Sequence, residues 1–477
     1  MIMGAIVERS GDSPASERGG SGSRADVVEV RFAGITLVPG ARRTTFGLNP
    51  GGAWRMIIYG ALVPPGIPQV GRVEIQSSDG TTFTDIAIIT EIHGDLAVSP
   101  RGIIEMRSAL PPWLVVVGER YRVPAIGWPD GPVHRVDSAV LIDRAVGSLV
   151  GGALGDGLGF PVEGWSRDHI RAIYGSAGLT DLPPEGALWS DDTQLTAVVA
   201  QSLVAADGAF DPSDLVRRLV DWLPTGRGVG RATRAAVMAL EAGEPWDAVG
   251  PRIDSSGNGA AMRSAPVGLV HALDEAPVAL LANAVQFALP THGGSVGVAG
   301  AVAMAAGVGY LARRASAGAP SLSTHVFVDF IADAIVPLEP APTPTRRPPG
   351  TAIYLGDRLR EVPHWLRREP DDVFDEIWTG AFALESVPAA MYCFLRSPQD
   401  PKKVLLTAAN ASHDTDTIAS MAGNLVGAWL GATRMAAAVP EWWSRIERRD
   451  ELEALAGQLA SIVTRRERIR TGQRPYG

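Results

Sequence analysis

The feature that most constrains this fold is a change of hydrophobic period near residue 135. Upstream, short runs of Val, Ile and Thr are bounded by Gly, Pro and Asp: "VVEVRFAGITLV", "AWRMIIYGALV", "GRVEIQSSDGTTFTDIAIITEI" and "PPWLVVVGERYRV". Such runs read as strands of a small sheet or barrel. Downstream, apolar residues recur at three- and four-residue spacing, as in Leu195, Val198, Val199 and Leu203, with Ser202 the polar member. Side chains alternate faces along a strand and stack on one side of a helix, so the two patterns need different architectures. We expect a mainly α protein: a flexible polar leader at 1–25, a β-rich accessory domain of unknown role at 26–135, and an all-helical domain at 136–477. A length of 477 residues allows two or three domains at about 100–200 residues each.

Within the helical part, helices are expected at 213–223, 230–242, 277–288, 294–314, 323–336, 373–395, 401–410 and 417–432. The Pro-rich stretch "PLEPAPTPTRRPPGT" predicts an extended surface loop, part of an excursion over 337–372. The Arg- and Glu-rich segment after Pro440 reads as solvated terminal helices.

Charge is divided unequally. Residues 1–135 carry 13 acidic and 13 basic side chains, so the net charge of −9 belongs to 136–477. An acidic half argues against nucleic acid as a partner, since nonspecific binding rests on clustered Lys and Arg. A single cysteine, Cys393, excludes a disulfide framework and a Cys-based zinc site, and its apolar setting "AAMYCFLRS" suits a buried thiol. No charged region precedes an apolar core at the N-terminus, so no secretory signal is read. The one span-length apolar stretch, residues 291–312, consists of Gly and Ala with hardly any Leu or Ile, which suits close packing in a protein core better than lipid. These readings predict a cytoplasmic protein with no membrane partner.

Polar islands interrupt the apolar helices. "SHDTDT" opens the run "IASMAGNLVGAWLG", placing Asp414, Asp416 and Thr417 at a helix mouth, and "WSDDTQ" places Ser190, Asp191, Asp192 and Thr193 at another. One such residue serves as a helix cap; four oxygen-bearing side chains in a row exceed that need. If the mouths meet, their carboxylates converge with no Lys or Arg in either motif. Such a cluster repels itself in a low-dielectric site unless hard divalent cations compensate it. All-oxygen ligands suit Mg²⁺ or Mn²⁺ rather than zinc, and a pair of ions about 3.5–4 Å apart would account for the ligand number. Three further islands are "GGALGDGLGFPVE", ending in Glu163, "GRGVGRATRAA", a glycine loop entering a helix, and "DSSGNGAAMRSAP" with "THGG" behind it. The glycine loop's backbone N–H groups suit an anion.

In order and spacing, the set "GALGDGLGFPVE", "SDDT", "RGVGRAT", "GNGAAMR…P" with "TH", "ESVPAAMYCFL" and "HDTDT…GNLVGA" resembles the ADP-ribosylglycohydrolases. These are all-α hydrolases that include the activating glycohydrolase of dinitrogenase reductase. The resemblance runs from about residue 140 to 434. It implies a dinuclear magnesium site on Ser190, Asp191, Asp192, Asp414, Asp416 and Thr417. It also implies diphosphate contacts at Gly228 and Gly230, and ADP-ribose contacts at Ser255, Gly257, Asn258 and His292. Glu163, Asp192 and Asp414 would be catalytic, with Glu163 the candidate for proton transfer. The implied activity is Mg²⁺-dependent removal of ADP-ribose from a modified target, most plausibly protein arginine, with a protein or small molecule carrying ADP-ribose as partner. Two alternatives stand beside it: hydrolysis of another ADP-ribose linkage or a small N-glycoside, and an ADP-ribose-binding or structural relative without turnover. Ser412-His413 replaces the family's usual Gly-Gly; His413 either contacts substrate, crowds the site or is a surface residue beside the cleft. Ser256 stands where some relatives carry an aromatic, so adenine is expected against a Trp or Phe of 337–378.

Overall fold

Strand and helix propensities resolve into two separate units, Met1–Ala125 and Ile126–Gly477. The computed structural model describes residues 137–471 except 317–320 and 347–348. It also describes 5–9, 25–32, 34–38, 45–46, 54–65, 67, 70–77, 82–93, 101–108, 121–124 and 126–131.

The first unit is antiparallel. Its strands are β1 (Ala5–Arg9), β2 (Ala25–Phe32), β3 (Ile35–Val38), β4 (Thr45–Phe46), β5 (Trp54–Leu62), β6 (Val70–Ser77), β7 (Thr82–His93) and β8 (Arg101–Ser108). The sheet order is β1-β5-β8-β7-β6-β2-β3, with β4 paired to β2. Alternation sets its core: Val30 lies opposite Ile75 and Phe32 opposite Val73, all buried, while Arg31 and Glu74 between them face out. Gly34, at φ +76°, turns β2 back into β3 and splits what reads in sequence as one run. Within the stretch read as a leader, β1 pairs with β5, and β2 begins at Ala25; residues 10–24 lie outside the described residues. Most of "PPWLVVVGERYRV" also lies outside them, and Tyr121–Val123 carries no strand.

In the second unit, residues 126–131 lead into the helices. Trp128 donates its indole N–H to Asp274 O at 2.8 Å, and the Arg313 guanidinium sits 5.0 Å over its ring. The contact boundary therefore precedes the 135/136 boundary read from the sequence. The first helices are α1 (Ser138–Gly159), α2 (Arg167–Tyr174), α3 (Asp191–Ala205), α4 (Pro212–Trp222), α5 (Arg231–Glu241) and α6 (Trp246–Ile253). The middle of the unit holds α7 (Ala265–Val270), α8 (Val278–Ala288), α9 (Ser295–Ser316), α10 (Thr324–Ile335), α11 (Leu355–Trp365) and α12 (Pro370–Ile377). The rest are α13 (Ala383–Arg396), α14 (Pro401–Ala409), α15 (Thr415–Leu430), α16 (Ala432–Ala438), α17 (Pro440–Ser444) and α18 (Arg449–Thr471). Two of them, α1 and α9, are long and apolar enough to cross a membrane, and α9 is almost wholly buried among its neighbours.

The pair α1–α15 organises the unit. Glycines at every fourth position of α1 (Gly147, Gly151, Gly155 and Gly159) lie against the α15 backbone. A Cβ on Gly155 would sit 2.0 Å from Ala419 O, and one on Gly427 of α15 would sit 1.9 Å from Gly147 O. The "GGALGDGLG" run is thus helix interior. Each glycine costs a helix about 1 kcal/mol relative to Ala, and here that cost gives two backbones direct contact. Their touching ends set Asp156 of α1 beside the mouth of α15.

Three further readings are corrected. The segment 373–395 is two helices, α12 and α13, because Trp378 takes φ +62° and stops α12. The excursion at 337–372 holds a small hairpin, β9 (Thr343–Pro344) with β10 (Ala352–Ile353), and then α11, whose Leu355, Leu359, Val362 and Trp365 are buried. Helix α18 packs on α1 and α3, burying Leu452, Ala456 and Leu459.

Candidate metal and substrate cleft

The mouth of α3 is held from two sides. Ser190 is its N-cap, with Oγ accepting from Asp192 N at 3.2 Å. From α1, the buried Asp156 carboxylate accepts from Ser190 N at 2.9 Å, Thr193 N at 3.1 Å and Thr193 Oγ1 at 2.5 Å. The mouth of α15 is different. Asp414 occupies the N-cap position without capping through its side chain. Its N–H donates to Thr379 O at 2.9 Å, and its carboxylate accepts from Asn258 Nδ2.

The two mouths meet. Thr417 Oγ1 of α15 donates to Asp192 Oδ2 of α3 at 3.1 Å, and Ser190 Oγ lies 3.3 Å from the same oxygen. Asp192 Oδ1 and Asp416 Oδ1 are buried with no hydrogen-bond partner. Asp156, Asp192 and Asp416 can each bring a ligand oxygen within 4.8 Å of the others, and so can Glu163, Asp414 and Asp416. None of these six carboxylates, counting Asp191, forms a salt bridge among the described residues. Burial, reinforced by neighbouring carboxylates, pushes Asp191 up to about 8 and holds Asp192 and Asp416 well above the ordinary range. Burial likewise lifts Asp414 to about 7 and Asp156 to about 6, and Glu163 is raised too. Hard, orphaned, mutually repelling oxygens are a donor set suited to divalent cations. The residues fit such ions, and Asp416, common to both groups, would bridge two.

Glu163, Asp191, Asp192, Asp414 and Asp416 line a cleft of about 450 Å³, together with Thr417, Gly228, Gly230, Ser255, Gly257, Asn258 and His292, while Asp156 lies behind that lining. Twelve of the fourteen residues singled out from the sequence thus share one cavity. Ser190 and His413 do not line it. Ser190 is fully buried beneath it as a cap. His413 stacks on Trp378 with ring centroids 4.1 Å apart, and its Nδ1 lies 2.9 Å from Ser412 Oγ. Ser412 and His413 both take left-handed backbone, φ 88° and 55°, a conformation that glycine adopts without strain. Gly230 N, expected to face a diphosphate, points at Asp191 Oδ2 at 3.4 Å.

Sequence reasoning missed Asp156, Arg231, Arg346 and Phe382. Asp156 left a signal, a carboxylate inside an otherwise apolar Gly/Ala helix. Arg346 left none, because it sits beside the Pro-rich hairpin. Its guanidinium lies 5.7 Å over the Phe382 ring and 3.6 Å from buried Glu385. The aromatic that lines the cleft is therefore Phe382, just outside 337–378, while Trp378 is occupied by His413.

A helical unit whose two acidic helix mouths close on one oxygen-lined cleft defines a class of helical protein with a carboxylate site that could hold divalent cations. The ADP-ribosylglycohydrolase family model matches residues 137–468, and the chain belongs to that family. It is 30% identical over 324 residues to a protein of Archaeoglobus fulgidus, covering 66% of this chain and 96% of that one. It is 27% identical over 314 residues to YegU of Escherichia coli, covering 61% and 88%. Human ADP-ribosylhydrolase ARH3 is 28% identical over 354 residues, covering 67% and 94%. The family comprises hydrolases that act on ADP-ribosylated substrates.

Proposed function

We propose that the chain is a Mg²⁺-dependent hydrolase that releases ADP-ribose from modified protein, with arginine as the leaving side chain and the cytoplasm as its location. The observation that carries this reading is the pair of carboxylate groups sharing Asp416, with the orphaned buried oxygens Asp192 Oδ1 and Asp416 Oδ1 between the two helix mouths. Asp156, Asp192 and Asp416 would hold one cation, and Glu163, Asp414 and Asp416 the other. Bound there, two cations supply Lewis acidity toward the ribose hydroxyls and a water activated for attack.

The protein's own part is positional. Thr417 and Ser190 hold Asp192 Oδ2, which leaves Oδ1 buried without a hydrogen-bond partner. Asn258 orients Asp414, and its amide is shared with Ser386 Oγ at 3.0 Å. Negative carboxylates around the anomeric carbon favour the positive charge that develops there in glycosidic cleavage. Glu163 is the exposed carboxylate of the set, and its raised proton affinity suits holding a proton for the leaving group. The glycine loop and the Ser255–Asn258 turn would carry the rest of ADP-ribose.

The test is release of free ADP-ribose from arginine-ADP-ribosylated protein, in Mg²⁺ and in EDTA, for wild type and Asp414→Asn. Metal-dependent release lost in the variant supports the reading. Release only from substrates modified at other side chains moves the linkage. No release with retained ADP-ribose binding makes the chain a binding protein.

A further inference from the structure

His292 enters the cleft wall with its ring almost wholly buried. Its partners determine which nitrogen carries the proton. Arg263 Nη2 lies 2.6 Å from Thr291 Oγ1 and 3.2 Å from Phe287 O. A guanidinium only donates, so Thr291 Oγ1 accepts from Arg263. The hydroxyl, in a fully buried residue, then has one proton to place. Buried hydroxyl protons are paired in folded proteins, and the acceptor within reach is His292 Nδ1 at 2.8 Å. Nδ1 therefore accepts, and the proton of the neutral ring sits on Nε2. That nitrogen faces the glycines of the "GNG" turn. A Cβ on Gly259 would lie 3.0 Å from Nε2 and one on Gly257 3.6 Å from it. The two glycines keep Cβ atoms out of the space around that N–H, and the side chains beside the same positions are the hydroxyls Thr233 Oγ1 and Ser255 Oγ.

We propose that Arg263 and Thr291 are positioning residues that lock His292 in the Nε2-protonated neutral form, so that it offers the ligand in the cleft a hydrogen-bond donor and not a general base. The ligand's identity as ADP-ribose rests on the functional reading above; the lock does not. Burial and the Arg263 charge hold the His292 imidazolium down to about 3, which keeps the ring neutral wherever the enzyme works. The recognised group is then an oxygen acceptor, a hydroxyl lone pair or a phosphoryl oxygen.

The test uses full-length protein labelled with ¹⁵N-histidine, with His292→Gln identifying the signal. Wild type is expected to show a pyrrole-like Nε2 and a pyridine-like Nδ1, unchanged across neutral pH. Thr291→Ser keeps that pattern. Thr291→Val, which removes the hydroxyl, gives mixed tautomers and binds ADP-ribose about fivefold more weakly, the worth of about one neutral hydrogen bond. A proton on Nδ1 in wild type, a ring that titrates near neutrality, or equal shifts in Thr291→Ser and Thr291→Val would overturn the proposal. A locked ring in a protein with no affinity for ADP-ribose sinks the functional reading and leaves the lock in place.

Discussion

At the mouth of α3, Ser190 caps the first turn locally, and Asp156 of α1 grips two backbone N–H groups and the Thr193 hydroxyl. At the mouth of α15 nothing local caps. Asp414 is set by Thr379 and Asn258, both distant in sequence, and the residues before it take left-handed backbone. Similar motifs, "SDDT" and "DTDT", thus reach similar positions by different means. Where a cap is present, local chemistry fixes the first turn, and Thr417 of the other mouth shares with Ser190 the aiming of Asp192. Where it is absent, tertiary contacts do the aiming, and strain accumulates beside the site.

The comparison can be broken at four points. Asp416 belongs to both carboxylate groups, so Asp416→Ala should abolish the distinction between the mouths. We expect more than about a hundredfold loss of cation affinity and of ADP-ribose release, beyond what a supporting residue costs. Titration calorimetry with Mg²⁺ and initial rates check this.

Asp156→Ala should damage the α3 mouth most, because it removes a carboxylate of the Asp156–Asp192–Asp416 group as well as the support of that mouth. It strips partners from two buried N–H groups, at about 1–3 kcal/mol for each unsatisfied group, and cation affinity should fall about 10–100-fold. A melting temperature and Mg²⁺ affinity equal to wild type would show that Ser190 suffices by itself.

The third point is pH. Folded Asp191 and Asp414 titrate at about 8 and about 7, above the ~4 of an unfolded aspartate. Across that window the folded chain binds more protons than the unfolded one, so stability falls as pH rises. In EDTA the melting temperature should drop between about pH 5 and about pH 8, and saturating Mg²⁺ should flatten the curve, because a cation favours the ionised form. A flat profile in EDTA would remove the case for a self-repelling cluster.

The smallest effect is expected from the double substitution Ser412→Gly, His413→Gly. It relieves two left-handed φ values but loses the stack on Trp378 and the Ser412 Oγ bond to Thr379 Oγ1 at 2.9 Å. These terms oppose, and the net change in unfolding free energy should stay within about 1 kcal/mol. Chemical denaturation measures it. An activity loss beyond about threefold would return His413 to the substrate-binding set.

Much of the site was legible because its parts are local. Carboxylates and hydroxyls at helix starts are a one-dimensional signal, and so are the glycine loop and the "GNG" turn. What escaped was long-range. Asp156 reads as an oddity of an apolar helix until α1 is laid on α15. Arg346 sits beside two strands of two residues each, too short for any periodicity to reveal. His413, a departure from the family's Gly-Gly that could have contacted substrate, crowded the site or lain beside the cleft, sits outside the cleft lining with its ring against Trp378.

By itself, then, the sequence determined the switch from strand to helix period, the oxygen-rich helix mouths and the kinship with ADP-ribosylglycohydrolases. Side-chain periodicity and capping operate over a few residues, so they are written in consecutive letters. Only the tertiary structure decided that the two mouths share one cleft, that Asp416 belongs to both carboxylate groups, and that Arg263 and Thr291 form a chain ending on His292 Nδ1. Each depends on contacts between distant segments. The glycine seam of α1 is the clearest case: a single methyl on Gly155 would collide with the α15 backbone that brings Asp416 into place.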